Sequence, residues 1–206
     1  MSSFLKFKIL PVLVIHDAQI APELASCLIE SGLPLVEVTL RTEASWKAIE
    51  KLASYDDLTL GIGSVTQEDE LRRGRDLGVK FAVSAGFAPD LVASARELDL
   101  DYLPGVATAS EILGASRAGL KNLKWFPAAA LGGIPALRSV SAPFPNLNFI
   151  PTGGIDLAAA VNYLKEPNVK QVGGSWMLKQ DWLAARDFTS IGESIQESLS
   201  QLKDNN

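Results

Sequence analysis

Cysteine and histidine are nearly missing from this chain: Cys27 and His16 are the only ones. An intrachain disulfide is therefore impossible, and a conventional zinc site, which needs three or four clustered nitrogen or sulfur ligands, cannot be assembled. No metal or other cofactor is expected, and a single thiol in a helical-looking stretch fits the core of a cytoplasmic protein. No stretch approaches the roughly 18 uninterrupted apolar residues that a membrane span requires. Lys6 and Lys8 ahead of the apolar run 9–15 imitate a secretory leader, but the run is short and Pro11 interrupts it, so a buried first strand is the better reading. Positive charge is also scarce: 19 Lys and Arg against 24 Asp and Glu give a formal charge of -5. Without a basic patch to neutralise a phosphodiester backbone, nucleic acid is not an expected partner. There is no linker, low-complexity segment or close repeat to divide the chain.

What is present is a regular alternation. The 206 residues, 47% of them hydrophobic, can bury one sizeable core, so residues 1–206 are expected to form a single domain. Short β-rich apolar runs at 9–15, 35–40, 58–62, 80–84, 100–103, 120–126, 147–151 and 169–172 alternate with segments of helical spacing, the pattern of an α/β protein with a parallel sheet. Eight runs are the number that closes a (β/α)8 TIM barrel, here in a compact version with short loops. Thr66 with Asp69 and Thr108 with Glu111 have capping-box spacing, Asp156 precedes another helix, and Pro135 suits a first turn. Ile191, Ile195, Leu199 and Leu202 mark a final amphipathic helix, and residues 204–206 read as a frayed tail. Trp46, Trp176 and Trp182 read as core or interface residues.

The most unusual stretch is 119–127, a strand-like run that carries Lys124 between Leu123 and Trp125. A lysine held among bulky apolar groups loses hydration, which disfavours the ammonium form, and the neutral amine is the nucleophile that a Schiff base requires. A strand-end lysine can instead snorkel to solvent, so the surrounding sequence has to decide. In the run 35–41, the two-residue period puts Glu37, Thr39 and Arg41 on one face and Val36, Val38 and Leu40 on the other. The apolar face suits the helices; the polar face then enters the barrel, where a carboxylate must be paired or functional. A Glu37–Arg41 ion pair is the structural alternative to catalysis.

Pro151-Thr152-Gly153-Gly154 follows the seventh run and Gly173-Gly174-Ser175 the eighth. Paired glycines let the backbone approach an anion, and the loops after strands seven and eight are where such barrels often hold phosphate. Gly61-Ile62-Gly63-Ser64 ends the third run, where Ser64 can bring a hydroxyl to the mouth or merely close a tight turn. Ser84-Ala85-Gly86 and residues 104–108 read as similar strand-end turns. An amine, a carboxylate, a guanidinium and an anion cradle at one barrel mouth suit an anionic carbonyl compound.

These motifs resemble the 2-keto-3-deoxy-6-phosphogluconate (KDPG) aldolase family, which also holds the 4-hydroxy-2-oxoglutarate (KHG) aldolases. Residues 37–42, 61–65, 124–128, 151–155 and 173–176 match in order, and the resemblance runs from about Pro11 to about Trp182. It implies a metal-independent class I aldolase in which Lys124 forms the Schiff base and Glu37 is the general acid/base. It also implies that Arg41 holds the pyruvate carboxylate with Ser64 beside it, that Thr152 lines the site, and that Gly153, Gly154, Gly174 and Ser175 receive a phosphate. The partners it implies are a keto-deoxy sugar acid phosphate and pyruvate, and the assembly a homotrimer. Ser64, Ala85, Trp125 and Ala129 depart from the family pattern, where Thr, Pro, Phe and an acidic residue are common; Ala129 would remove an interaction close to Lys124. The competing readings are an aldolase for unphosphorylated substrates, a non-catalytic sugar-acid-binding barrel, and a phosphosugar isomerase that would leave Lys124 unexplained.

Overall fold

The structure, a computed structural model, describes residues 3–203; the tail expected at 204–206 lies outside them. Strands β1 (Ile9–Leu13), β2 (Leu35–Thr39), β3 (Thr59–Val65), β4 (Phe81–Ser84), β5 (Asp101–Leu103), β6 (Gly105–Val106), β7 (Asn122–Trp125), β8 (Asn148–Pro151) and β9 (Val172–Gly174) pair in parallel throughout. β5 and β6 are two halves of one barrel strand divided at Pro104, which has no N–H to give a ladder; its carbonyl still accepts from the Lys124 amide at 2.8 Å. The run β5-β4-β3-β2-β1-β9 therefore continues into β6-β7-β8. Parallel bridges Phe149–Val169 and Thr152–Gly173 bring β8 back to β9. The eight-stranded expectation is met by this arrangement.

Outside the sheet lie α1 (Ala21–Glu30), α2 (Ser45–Leu52), α3 (Glu68–Asp76), α4 (Pro89–Glu97), α5 (Ala109–Arg117), α6 (Gly133–Ser141), α7 (Leu157–Tyr163), α8 (Gln180–Ala185) and α9 (Phe188–Lys203). The starts follow local chemistry. Thr108 Oγ1 accepts from the Glu111 amide while Glu111 Oε2 accepts from the Thr108 amide, the expected capping box. The first turn of α3 uses Glu70 rather than Asp69: its Oε2 accepts from the Thr66 and Gln67 amides, which moves the cap one residue along to Gln67. Pro135 lies in the first turn of α6. Ile191, Ile195 and Leu202 of α9 are buried, Leu199 packs at their edge, and Cys27 sits in the same core. Trp46, Trp176 and Trp182 are half-buried against it. No helix among the described residues is long and apolar enough to cross a membrane.

Two apolar layers fill the space between strands and helices, and a third fills the lower barrel with Leu10, Leu35, Phe81, Val83, Leu103 and Ile150. Phe4 closes that end, its ring stacked on Phe81 at 4.8 Å. Burying a side chain of this size contributes about 1.5–3 kcal/mol. Above this floor the interior turns polar, with Glu37, Thr39, Lys124 and Thr152 all buried.

Glycines make room for those large neighbours. A Cβ on Gly61 would meet the Phe81 ring at 2.2 Å, one on Gly63 would meet Glu37 Oε1 at 2.1 Å, and one on Gly173 would meet Thr152 Oγ1 at 2.3 Å. Gly61 and Gly63 are thus interior strand residues, and β3 runs on to Val65 with a register shift after Ile62, instead of ending there. The eighth run likewise corrects toward its C-terminus: Gly173 and Gly174 belong to β9 and do not form a loop. Gly105 and Val106 are strand too. The turn at Ala85 is held by its neighbour, the Ser84 hydroxyl donating to the Gly86 carbonyl at 2.6 Å.

Candidate active site

The C-terminal ends of β1, β2, β7, β8 and β9 surround a cavity of about 340 Å³, lined by Arg41, Lys124, Thr152, Gly153, Gly154, Gly174 and Ser175 among others. Those are seven of the nine residues singled out from the sequence. The other two reach the cavity through partners. Glu37 lies under it, fully buried, with Oε1 3.2 Å from Lys124 Nζ. Ser64 accepts a hydrogen bond from Arg41 Nε at 2.8 Å.

The period-2 alternation of β7 explains Lys124. Leu123 and Trp125 point outward into the helix layer, while Lys124 points inward and is 3% exposed. Its burial is thus the work of the barrel interior and of the Phe126 ring, whose centroid is 5.3 Å from Nζ, not of its sequence neighbours. The same alternation on β2 sends Glu37 and Thr39 inward as expected. Thr39 Oγ1 donates to the Leu13 carbonyl at 2.9 Å, a structural bond that ties β2 to β1.

The alternative pairing of Glu37 with Arg41 is corrected: Glu37 pairs with Lys124, and Arg41 turns to Ser64 at the exposed rim. Arg41 lies two residues past the end of β2 and is exposed, whereas Glu37 is buried within the strand, so the deeper carboxylate meets the deeper cation. Glu37 Oε2 is buried and bonds to no protein group. A buried acceptor left in that condition is costly, which fits a group kept for chemistry better than one kept for packing.

Ser64 owes its position to backbone geometry. Its φ of 62° is in the left-handed region, rare for a residue that is neither Gly nor Asn, and it falls at the β3 register shift. A bulge there re-aims one side chain out of the strand's alternation. Thr152 is buried between Gly173 and the cavity, and Gly153 and Gly154 adopt φ values of 99° and 70°. They form a Gly-Gly turn at the mouth; Gly174 lines the cavity from within β9.

A Cβ on Gly154 would meet the Ala129 Cβ at 2.7 Å, so Ala129 flanks the glycine turn. Val12, Val14, Phe126, Ile155 and Asp156 also line the cavity, none of them singled out from the sequence as a site residue. Asp156 had been visible only as a helix cap, which it is, with Oδ1 accepting from the Ala159 amide at 2.8 Å. Chemically, the arrangement sets a buried amine against a carboxylate that can exchange protons with it. It adds a guanidinium and a glycine turn on the lining of the same cavity.

The family model for KDPG and KHG aldolases matches residues 2–194. The 2-dehydro-3-deoxy-phosphogluconate aldolase of Pseudoalteromonas atlantica is 37% identical over 93% of this chain and 90% of its own. The KHG/KDPG aldolase of Escherichia coli is 35% identical over 95% and 92%. Among solved structures, the KDPG aldolase of Legionella pneumophila superimposes with a TM-score of 0.91 at 35% identity, covering 95% of this chain and 96% of that one. That structure holds pyruvate captured as a covalent carbinolamine intermediate. The chain belongs to the KDPG and KHG aldolase family and is a Schiff-base aldolase, a carbon–carbon lyase.

Proposed function

We propose that this aldolase cleaves 2-keto-3-deoxy-6-phosphogluconate to pyruvate and glyceraldehyde 3-phosphate through a Schiff base on Lys124. The observation that carries the assignment of residues is the buried Lys124–Glu37 contact of 3.2 Å at the floor of the cavity. A carboxylate at that distance can take the ammonium proton and free the nitrogen lone pair. Nζ then adds to the C2 carbonyl, giving the carbinolamine, the species captured with pyruvate in the Legionella relative. Loss of water leaves a protonated imine. Removal of the C4 hydroxyl proton sends the C3–C4 bond electrons to C3 and releases glyceraldehyde 3-phosphate. The enamine is protonated at C3, and hydrolysis of the imine returns pyruvate and the free amine.

Glu37 is the general acid/base in these proton transfers, its free Oε2 being the acceptor without a protein partner. Arg41, anchored by Ser64, holds the pyruvate-half carboxylate. Thr152 packs beside the imine carbon, and Gly153, Gly154, Gly174 and Ser175 surround the distal phosphate. The second reading, cleavage of 4-hydroxy-2-oxoglutarate by the same lysine, is favoured by the dual name of the Escherichia coli relative. We place the enzyme in the cytoplasm, since its single cysteine suits a reducing compartment, and as a homotrimer, as the family resemblance implies.

The test is pyruvate release from each of the two substrates, in wild type and variants. Lys124→Ala should abolish it. Glu37→Gln should lower kcat by about 10²–10⁴-fold and leave the circular-dichroism spectrum unchanged. Near wild-type rates in either variant would remove that residue from the mechanism, and faster cleavage of 4-hydroxy-2-oxoglutarate would select the second reading.

A further inference from the structure

We infer that Asp156 sets the phosphate selectivity of the site, holding down the preference for a dianionic terminus so that unphosphorylated 2-keto-3-deoxy acids compete for the same cavity. The inference rests on the aldolase reading and concerns only the distal end of the substrate. Asp156 lines the same cavity as Gly153, Gly154 and Ser175, two residues beyond the glycine turn. Its carboxylate is exposed and caps α7 through the Ala159 amide, so the first turn of that helix already carries an anion. The cations that line the cavity, Lys124 and Arg41, are engaged with Glu37 and Ser64 on other strands. A phosphate beside Gly153 and Gly154 would thus rely on backbone groups and the Ser175 hydroxyl while facing a carboxylate. In a water-exposed site, repulsion between one carboxylate and a phosphate dianion a few ångströms away is worth about a tenfold change in affinity.

Asp156→Asn removes the charge and keeps a capping side chain of the same size. The experiment measures kcat/KM for 2-keto-3-deoxygluconate and for its 6-phosphate ester, in wild type and variant, at low salt and at 0.5 M NaCl. The expected result is that the phosphorylated-to-unphosphorylated ratio rises about tenfold in the variant, mostly through KM for the ester, and that high salt narrows the difference between the two proteins. Asp156→Ser, which also caps, should behave in the same way and guards against a folding defect of one variant. An unchanged ratio in both variants would overturn the inference. Pyruvate trapping on Lys124, which does not involve the distal end, separates that outcome from a failure of the aldolase reading itself.

Discussion

At the residue scale, the site depends on a few side chains held where their own preferences would not put them. Ser64 is the clearest case, since its left-handed φ of 62° costs about 1–3 kcal/mol and yet places its hydroxyl on Arg41. Two substitutions separate strain from function. Ser64→Ala keeps the strain and loses the hydroxyl; Ser64→Gly loses both. Each should raise the KM for pyruvate-forming substrates several-fold, while thermal denaturation should find the glycine variant more stable than the alanine one by about 1 kcal/mol. Equal stabilities would mean that the backbone at this position is unstrained. The sequence made Ser64 legible as a hydroxyl at the mouth but not its conformation, because a register shift leaves no trace in hydrophobic periodicity. The partner of Glu37 was likewise hidden: the alternation of β2 gave its face, and only the closed barrel brings a lysine 87 positions away to within 3.2 Å.

At the scale of elements, the runs of apolar residues located nearly every strand, and the errors fell where glycine carries the chain. From the sequence, Gly63, Gly105, Gly173 and Gly174 read as turn residues and Gly61 as the close of its run, because glycine ordinarily ends strands. In this barrel they are small because Phe81, Glu37, the Ala85 carbonyl, Thr152 and Trp176 occupy the space a side chain would take. For Gly61, Gly63, Gly105 and Gly173 the cause lies in a distant part of the chain and cannot be read locally; for Gly174 it is Trp176, two residues on. Contacts between elements carry their own expectation. Arg138 on α6 donates to both oxygens of Glu166, at 2.8 and 2.6 Å, on the connection from α7 to β9. Those hydrogen bonds hold the Glu166 carboxyl below its ordinary value of 4.5. A lowered carboxylate pKa stabilises the fold above the unfolded value, and that stability disappears as pH falls through the folded one. Glu166→Gln should therefore lower Tm at pH 7, with the gap from wild type closing below about pH 4. A gap that persists undiminished at pH 3 would assign the effect to packing instead of charge.

For the whole molecule, the alternation of eight runs made the barrel legible, and the motif order made the family legible, since both are carried by spacing along the chain. The dimensions of the cavity and the company of Asp156 at its rim were not legible, because they depend on how β8 and β9 close against β1. The homotrimer is a further statement at this scale: sedimentation equilibrium should give three times the chain mass of 22.1 kDa, from protein recovered in the cytoplasmic fraction, and a mass of one chain would refute it. The proposed mechanism depends on one covalent bond, between Lys124 and the keto carbon of the substrate. Incubating the protein with pyruvate, reducing with borohydride and mapping the peptides should place the reduced pyruvate adduct on Lys124. An adduct on another lysine, or none on folded protein, would contradict the mechanism proposed for this barrel.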